Sequence, residues 1–335
     1  MSERIFQNMN VGVLGSGSFA TAIVKMLTEN CSKIHWCVRD EFVKGTLEKR
    51  KHNPTYIPSV MFNLEQLYIT VDVNELMRRC DIIFLVTPSI YLVDFLKPLN
   101  VSLEGKIFVS AIKGIVPEHN DIVAHFMRDQ YGVPLENQAV ISGPCHAEEV
   151  AMERLSYLTV SALDDEKVHQ ISQLLESHYI RITKSCDIIG NEYSSVLKNI
   201  YAIGAGIASG LGYGDNFHAV FVSNAIREIE IYLDAIYPEN RDVNDSSTLG
   251  DLLVTSYSLF SRNRSLGNLI GKGYTVKSAI QSMNMVAEGY YATKSIYEIG
   301  KEKGLKLPII SMVYEVLFEE KNAEKRFLQL TEQLN

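Results

Sequence analysis

The residue with the clearest chemical potential is a lysine inside an apolar helical stretch. Lys198 is flanked by Val196 and Ile200, and the turns that follow carry small residues. A helix of this composition is expected to be buried nearly all round, and burial lowers the pKa of an ammonium toward neutrality. A lysine in that state can serve as an acid or a base. A lysine that extends its head group back to water also fits this segment.

A carboxylate partner for this lysine is available further along the chain. Asp251 stands between apolar residues after a glycine, so we expect it to be partly buried. Thr255 follows four residues later, on the same face of a helix. A buried lysine and a buried aspartate compensate each other's charge, which makes this pair a candidate reacting centre.

The run Ser261-Arg262-Asn263-Arg264 is a compact set of hydrogen-bond donors. A guanidinium beside a hydroxyl and an amide suits a phosphate monoester. Taken without context, the same run is more typical of a solvated surface.

A glycine-rich turn lies between a strand-like run and a helical pattern near the amino terminus. Val11–Ala20 contains the pattern GxGxxA. Gly15 permits the tight turn, Gly17 lets the backbone approach a pyrophosphate, and Ala20 lets helix and strand pack closely. The N–H groups and the dipole of the helix N-terminus would then hold the anion. This context predicts a dinucleotide site rather than an ordinary turn.

The residues after the second strand bear on the choice of dinucleotide. Ile34–Val38 is followed by Arg39 and Asp40. Arg39 can pair with a 2′-phosphate, which favours NADP, whereas Asp40 would favour NAD. The sequence predicts NADP or NAD, and a solvated surface arginine remains an alternative.

Two more segments end at the carboxyl edge of the predicted sheet. Pro88 ends a strand, and Ser89 can cap the helix that follows. Lys113 follows the strand Ile107–Ser110 and places an ammonium where a phosphate or a developing alkoxide would sit. A surface lysine is the plainer interpretation of Lys113 when it is taken alone.

The elements that must position these residues change character along the chain. The first half alternates apolar runs with helical patterns, which predicts a parallel sheet wound by helices, a Rossmann-type α/β fold. The predicted strands are Val11–Leu14, Ile34–Val38, Ile82–Val86, Ile107–Ser110, Ala139–Ile141, Leu158–Val160 and Ile180–Thr183. From Asp187 the sequence predicts helices, so we place domains at 1–186 and 187–335. Within the second domain we expect close helix packing at 199–212 and one long final helix over Ile309–Leu334.

Composition narrows the class of protein. The chain has 335 residues, 46% of them apolar, and a net charge of −8, which disfavours a nucleic-acid binder. Its five cysteines have wide spacings and no CxxC pair, so neither a disulfide framework nor a metal site is predicted. The sequence contains neither a secretory signal nor an apolar run long enough to span a membrane. We therefore expect a cytoplasmic protein.

Taken together, these segments resemble the bacterial branch of the NAD(P)-dependent glycerol-3-phosphate dehydrogenase family. The resemblance runs from about Val11 to about Leu330. The matching stretches, in order, are GSGSFA, HNPTYIP, VTPS, AIKG, ISGPCHAEEVA, SSVLKNIYAI, GLGYGDN, LGDLLVT, SRNRSLG and VAEGYYAT. Their order and spacing make the resemblance specific.

The resemblance implies a Rossmann domain followed by a helical domain. It also implies an enzyme that interconverts glycerol 3-phosphate and dihydroxyacetone phosphate and supplies glycerol 3-phosphate for phospholipid synthesis. It implies that Lys198 is the proton acceptor. The residues expected to line the reacting centre with it are Lys113, Asn199 and Asp251. The expected substrate contacts are Lys113, Gly143, Cys145, Lys198, Asp251, Thr255, Ser261, Arg262 and Asn263. The expected cofactor contacts are Gly15, Ser16, Gly17, Ser18, Phe19, Arg39, Pro88, Lys113, Ala147, Arg262, Val286 and Glu288.

The sequence departs from the family pattern in three places. Cys145 replaces the usual Ser or Thr, which would weaken a substrate hydrogen bond there. Ser194 and Ser195 replace a Gly-Gly pair, and Val243–Leu249 lacks the usual run rich in phenylalanine and glycine. None of these changes removes a residue with an expected chemical role.

Two other functions compete with this expectation. One is a dehydrogenase of the same architecture that acts on a carboxylate substrate, which could also use Arg262. The other is a sensor that binds a dinucleotide without turnover, although a sensor needs no buried lysine–carboxylate set. A homodimer is expected, since symmetric pairs are the commonest assembly.

Overall fold

The computed structural model describes residues 9–283 and 285–335. An eight-stranded sheet with the order β3-β2-β1-β4-β5-β6-β7-β8 forms the frame of the first part of the chain. Neighbouring strands are parallel except β6 and β7, which are antiparallel. The strands are β1 Val11–Leu14, β2 Ile34–Cys37, β3 Leu67–Thr70, β4 Ile82–Leu85, β5 Ile107–Ser110, β6 Gln138–Ser142, β7 Ser156–Ala162 and β8 Ile180–Ser185.

Fifteen α-helices accompany this sheet in the described residues. Those of the first part are α1 Ser18–Asn30, α2 Glu41–Arg50, α3 Val73–Arg79, α4 Leu92–Leu96, α5 Val123–Tyr131, α6 Ala147–Ala151 and α7 Asp165–Leu175. Those of the second part are α8 Ile188–Gly210, α9 Asp215–Ile236, α10 Asp251–Tyr257, α11 Arg262–Gly271, α12 Val276–Gln281, α13 Glu288–Glu302, α14 Pro308–Phe318 and α15 Ala323–Thr331. No helix of the described residues has the length and apolar character needed to cross a membrane.

The predicted strands are all present, and together with the flanking helices they confirm the Rossmann-type α/β fold class. Strand β3, Leu67–Thr70, is not among the strands predicted from the sequence. This strand is at the edge of the sheet and has only four residues, and Tyr68 on it is half-buried, so it lacks the continuous apolar run of an inner strand.

The chain forms two compact units. The first consists of the residues up to Ile112 together with Val123–Ile188, and the second of Lys113–Ile122 together with Ile189–Asn335. We expected Lys113–Ile122 in the first domain, but the structure assigns it to the helical unit. Its hydrogen bonds explain why: the Tyr193 hydroxyl donates to Asp121 over 3.2 Å, and the Ser295 hydroxyl bonds Asn120 over 2.9 Å.

Close contact between α8 and α11 organises the helical unit. A Cβ on Gly206 would lie 2.1 Å from the carbonyl oxygen of Arg264, and a Cβ on Gly267 would lie 2.0 Å from that of Ile203. Only glycine lets the two backbones approach so closely. The close packing expected at 199–212 is therefore confirmed.

The prediction of one long final helix over Ile309–Leu334 is wrong. The structure has two helices there, α14 and α15, separated by residues 319–322. Glu320 adopts a positive φ of 52°, and the side chain of Asn322 caps α15 by accepting from the N–H of Lys325. Asparagine at this position competes with helix continuation and starts a new helix instead.

Candidate functional site

A buried ion pair occupies the centre of the helical unit. Lys198, on α8, donates through Nζ to Oδ1 of Asp251, the first residue of α10. Lys198 is 5% exposed and Asp251 is 1% exposed. Two charges removed from water need each other, since either alone would carry a large desolvation cost. The structure thus places both chemically promising residues together and out of solvent.

A second ammonium shares the same carboxylate. Nζ of Lys113 lies 3.1 Å from Oδ2 of Asp251. The main chain of Lys113 is also held, because the side-chain amide of Asn199 donates to its carbonyl over 2.7 Å. Lys113 is therefore fixed at both its backbone and its head group.

The charges of this cluster shift its pKa values in a definite direction. Burial is the main cause that lowers the pKa of Lys198 to about 7; the ammonium of Lys113 acts in the same sense, while Asp251 opposes both. For Asp251, burial alone would raise the pKa, but the two lysines outweigh it and hold the pKa below its usual value. Near neutral pH the carboxylate stays charged while Lys198 can exchange a proton.

A chain of amides surrounds the cluster. The Asn263 amide on α11 donates to the Asn199 oxygen over 2.8 Å, and its own oxygen accepts from the N–H of Gly289 over 2.9 Å. This chain joins α8, α11 and the first turn of α13, where Glu288 is the first residue. Asn199 and Asn263 therefore hold three helices in register around Lys198.

The turn ahead of Asp251 is unusual. Ser246–Gly250 forms a π-helical turn, and the side chain of Asp245 caps it by accepting from the N–H of Thr248. The Thr248 hydroxyl also lies 3.5 Å from that of Ser194. Two of the three departures from the family pattern thus contact each other. Thr255 Oγ1 lies 3.4 Å from Oδ1 of Asp251, the oxygen that also accepts from Lys198.

The donor run at the start of α11 has divided roles. Ser261 caps this helix by accepting from the N–H of Arg264, and Asn263 belongs to the amide chain. The guanidinium of Arg264 donates to the Ser209 hydroxyl over 3.3 Å. Arg262 is half-buried at the first position of the helix. Ser261, Asn263 and Arg264 are thus bonded within the unit.

The glycine-rich loop lies in the first unit, between β1 and α1. Gly15 has a φ of +127°, and a Cβ on it would lie 2.1 Å from the carbonyl oxygen of Val86. A Cβ on Gly17 would meet nothing within 4 Å. Gly15 is therefore required by the fold, whereas Gly17 leaves open space at the N-terminus of α1, beside Ser18 and Phe19. This cradle fits a dinucleotide pyrophosphate.

The remaining predicted cofactor residues of the first unit lie near strand ends. Arg39 is largely exposed and donates through Nε to Asp40 over 2.8 Å. Asp40 in turn caps α2 by accepting from the N–H of Val43, and this bond, followed by the arginine, lowers its pKa. Pro88 precedes a single turn of 3-10 helix that begins at Ser89, so Ser89 does not cap α4 as expected.

Three predicted residues follow β6. Gly143 has a φ of +102°, Cys145 is buried in the hydrophobic core of the first unit, and Ala147 is the first residue of α6. In the second unit, Val286 lies in the segment before α13 and is half-buried. The five cysteines are all free thiols, and the described residues contain no cluster of His, Cys, Asp or Glu that could hold a metal ion.

Several supporting residues have no role in the predictions made from the sequence. Trp36 and Asn53 contact the glycine-rich loop, and Tyr193 anchors the segment that carries Lys113. Asn53 belongs to the HNPTYIP stretch, so a signal existed without an assigned role. Tyr193 and Trp36 gave no such signal, because an aromatic residue in an apolar context is typical of any core.

Comparison with sequence families covers nearly the whole chain. Residues 10–168 match the family described as NAD-dependent glycerol-3-phosphate dehydrogenase N-terminus. Residues 187–327 match the corresponding C-terminus family.

Curated relatives agree with these matches. A glycerol-3-phosphate dehydrogenase [NAD(P)+] of Chlorobium chlorochromatii is 34% identical over 325 residues, which cover 96% of this chain and 97% of the relative. The enzyme of the same name from Geobacillus thermodenitrificans is 34% identical over 320 residues, 94% of this chain and 92% of the relative.

Solved structures share the fold. A glycerol-3-phosphate dehydrogenase from Coxiella burnetii superposes with a TM-score of 0.90 at 24% identity and covers 97% of this chain and 99% of its own. A D-mandelate dehydrogenase gives a TM-score of only 0.58 at 14% identity, over 96% of this chain and 99% of its own.

Proposed function

This chain belongs to the NAD-dependent glycerol-3-phosphate dehydrogenase family, and from that premise we propose that Lys198, Asp251 and Lys113 form its catalytic centre. The protein is an oxidoreductase that interconverts glycerol 3-phosphate and dihydroxyacetone phosphate with NAD or NADP. Its product glycerol 3-phosphate supplies phospholipid synthesis, as in the rest of the family. The observation that supports this centre is the buried Lys198–Asp251 pair with a second ammonium on the same carboxylate.

In the oxidation of glycerol 3-phosphate, Lys198 as a neutral amine accepts the proton of the reacting hydroxyl. The nicotinamide, when bound, would accept the hydride from the carbon that carries this hydroxyl, and would donate a hydride in the reverse reaction. In the reduction of dihydroxyacetone phosphate, Lys198 as an ammonium returns the proton to the alkoxide oxygen. The proton and the hydride together balance the two-electron change.

The other residues of the centre orient Lys198 and stabilise charge on the reacting oxygen. Asp251 holds the head group of Lys198 in place and favours its ammonium form. The ammonium of Lys113 stabilises negative charge on the reacting oxygen. Asn199 belongs to the centre because it fixes the backbone of Lys113.

We propose that the substrate is bound by residues in the motifs that resemble the family. Arg262 holds the phosphate as a bidentate donor, and this binding energy keeps the substrate in reacting geometry. The further substrate contacts proposed are Gly143, Cys145, Thr255, Ser261 and Asn263.

Cofactor binding is assigned to the loop Gly15–Gly17 and the first turn of α1. The open space at Gly17 supports this assignment. Arg39 favours NADP because its guanidinium can leave Asp40 for a 2′-phosphate. The further cofactor contacts proposed are Ser18, Phe19, Pro88, Lys113, Ala147, Arg262, Val286 and Glu288.

We propose a dinucleotide-binding domain of residues 1–186 and a helical domain of residues 187–335 that supplies Lys198, Asp251 and Arg262; within the first range, Lys113–Ile122 packs with the helical unit. A homodimer in the cytoplasm is also part of the proposal. Five free thiols support a reducing compartment. Symmetry statistics support the dimer.

One assay tests the proposed function. Consumption of NADH and of NADPH is followed with dihydroxyacetone phosphate and, in parallel, with 2-keto acids. We expect turnover with dihydroxyacetone phosphate and a higher kcat/KM with NADPH. Turnover with 2-keto acids alone would indicate the carboxylate-specific dehydrogenase, and dinucleotide binding without any turnover would indicate a sensor.

A further inference from the structure

Two buried side chains hold successive carbonyl groups of the glycine-rich loop. Trp36 on β2 donates from Nε1 to the carbonyl oxygen of Gly15 over 2.7 Å. Asn53 donates from Nδ2 to the carbonyl oxygen of Ser16 over 3.0 Å. Both side chains are 0% exposed, so these bonds form away from competing water.

The orientation of the Asn53 amide is fixed by its other partners. Its Oδ1 accepts from the N–H groups of Thr55 and Tyr56, each over 3.0 Å. An oxygen that accepts two N–H groups leaves the nitrogen to face the loop. There Nδ2 also donates to the Thr21 hydroxyl over 3.0 Å, and this hydroxyl donates to the carbonyl of Gly17 over 3.0 Å. Three successive carbonyl oxygens of the loop are thus engaged.

These bonds determine where the loop N–H groups point. A trans peptide is planar and its N–H points opposite to its C=O. The carbonyl of Ser16 points at buried Asn53, so the N–H of Gly17, in the same peptide, points away from Asn53. By the same argument, the bond from Trp36 to Gly15 turns the N–H of Ser16 away from Trp36. An anion at this loop would meet donors that are already oriented.

We propose that Trp36 and Asn53 are positioning residues for the cofactor, which fix the peptide planes of the glycine-rich loop so that its N–H groups face the pyrophosphate. This inference rests on the proposed function of the loop. Neither residue needs to touch the cofactor. Their loss lets the peptides rotate, and cofactor binding must then reorder them at the expense of affinity.

The test compares two asparagines whose side-chain amides each donate to a backbone carbonyl and accept from a backbone N–H. Asn53→Asp keeps an acceptor for Thr55 and Tyr56 but loses the donor to Ser16 and places an oxygen against that carbonyl. Asn74 supplies the matched control: its amide donates to the carbonyl of Pro98 over 3.0 Å and accepts from the N–H of Asn100 over 2.8 Å. Asn74→Asp therefore makes the same chemical change at a different loop of the same unit.

Dissociation constants for NADH and NADPH are measured by fluorescence titration, and thermal unfolding is recorded for each variant. For Asn53→Asp we expect a Kd about 10- to 100-fold above that of the wild type. The KM for dihydroxyacetone phosphate, and kcat at saturating dinucleotide, should stay close to wild type. Asn74→Asp should lower the Tm and leave the Kd unchanged.

Trp36→Phe separates orientation from charge, because it removes the donor to Gly15 without adding a carboxylate. It should raise the Kd in the same direction. A folded Asn53→Asp protein with wild-type Kd, a wild-type Kd in Trp36→Phe, or an equal loss in Asn74→Asp would overturn the inference. A wild-type protein that binds neither dinucleotide would overturn the proposed function itself.

Discussion

Two of the buried carboxylates of the helical unit, Asp251 and Glu228, have surroundings that give them opposite protonation behaviour. Asp251 sits between the ammonium groups of Lys198 and Lys113. Glu228, on α9, accepts from the N–H groups of Ile309 over 2.6 Å and Ile310 over 3.2 Å, at the N-terminus of α14. The pKa of Asp251 is lowered, whereas that of Glu228 is raised to about 8 by burial, which its neutral donors only partly offset.

The comparison shows that burial alone does not decide the charge of a carboxylate. Removal from water raises the pKa of both groups. Full positive charges outweigh this effect at Asp251, while two N–H groups and the hydroxyl of Tyr201 do not outweigh it at Glu228. Asp251 therefore stays charged and can control a proton on Lys198. Glu228 can carry a proton near neutral pH and joins α8, α9 and α14.

The largest expected effect comes from removing the titrating amine of the charged cluster. Lys198→Met should lower kcat by roughly 10²–10⁴-fold, since that is the usual contribution of a positioned acid–base group. The Kd for NADPH should stay close to wild type. Steady-state kinetics and fluorescence titration measure both, with the exposed Lys294→Met as a control. A near-normal kcat would show that Lys198 is not the proton acceptor.

Replacing the charged carboxylate of Asp251 tests its effect on the pKa of Lys198. In Asp251→Asn, Lys198 loses the group that favours its ammonium form while Lys113 remains, so its pKa should fall below the wild-type value of about 7. Oxidation of glycerol 3-phosphate should then begin at lower pH, with kcat reduced by up to about 10²-fold because the amine is no longer held in place. A pH–rate profile measures the shift. An unchanged profile would contradict the role given to Asp251.

Glu228→Gln tests the other half of the comparison. The folded pKa of Glu228, about 8, is above its usual value of 4.5, so its contribution to stability is complete below pH 4.5 and is lost as pH rises through 8. The stability of the variant should therefore depend less on pH than that of the wild type, while its pH–rate profile should stay unchanged. Thermal unfolding at several pH values measures this, with exposed Glu230→Gln as the control. An identical decline of Tm with pH in both variants would refute the assignment.

The smallest effect is expected at the edge of the charged cluster. Thr255→Val removes the hydroxyl that lies 3.4 Å from Oδ1 of Asp251 and keeps the shape of the side chain. A neutral hydrogen bond to a carboxylate already paired with two lysines adds little, so kcat should fall by about two- to tenfold. Steady-state kinetics measures the change. A loss as large as that of Asp251→Asn would mean that neutral donors do matter at this carboxylate.

The sequence predicted Asp251 and Lys198 because charged residues in apolar surroundings stand out from the pattern. It did not point to Glu228, because an acidic residue on an amphipathic helix is typical of a solvated face. Glu228 is distinguished by its hydrogen bond to the N-terminus of α14, eighty-one residues further along the chain. A contact of that separation leaves no local pattern.

The fold shows the same division. Seven strands were predicted, among them the edge strand β8, whereas β3 at the opposite edge of the sheet was missed. The grouping of Lys113–Ile122 with the helices depends on Tyr193 and Ser295, which lie far away in sequence. Local periodicity predicts elements well, but it contains no information about which distant side chain anchors a loop.

The placement of Lys113–Ile122 in the helical unit has a consequence for how such genes can recombine. A crossover at residue 187 would separate the two sequence families cleanly, yet Lys113 would be inherited with the dinucleotide-binding half. The recipient helices would then receive a foreign segment beside Asp251. Hybrids would keep the contacts of this ten-residue segment only where the recipient helices carry matching partners, such as Tyr193 for Asp121 and Ser295 for Asn120.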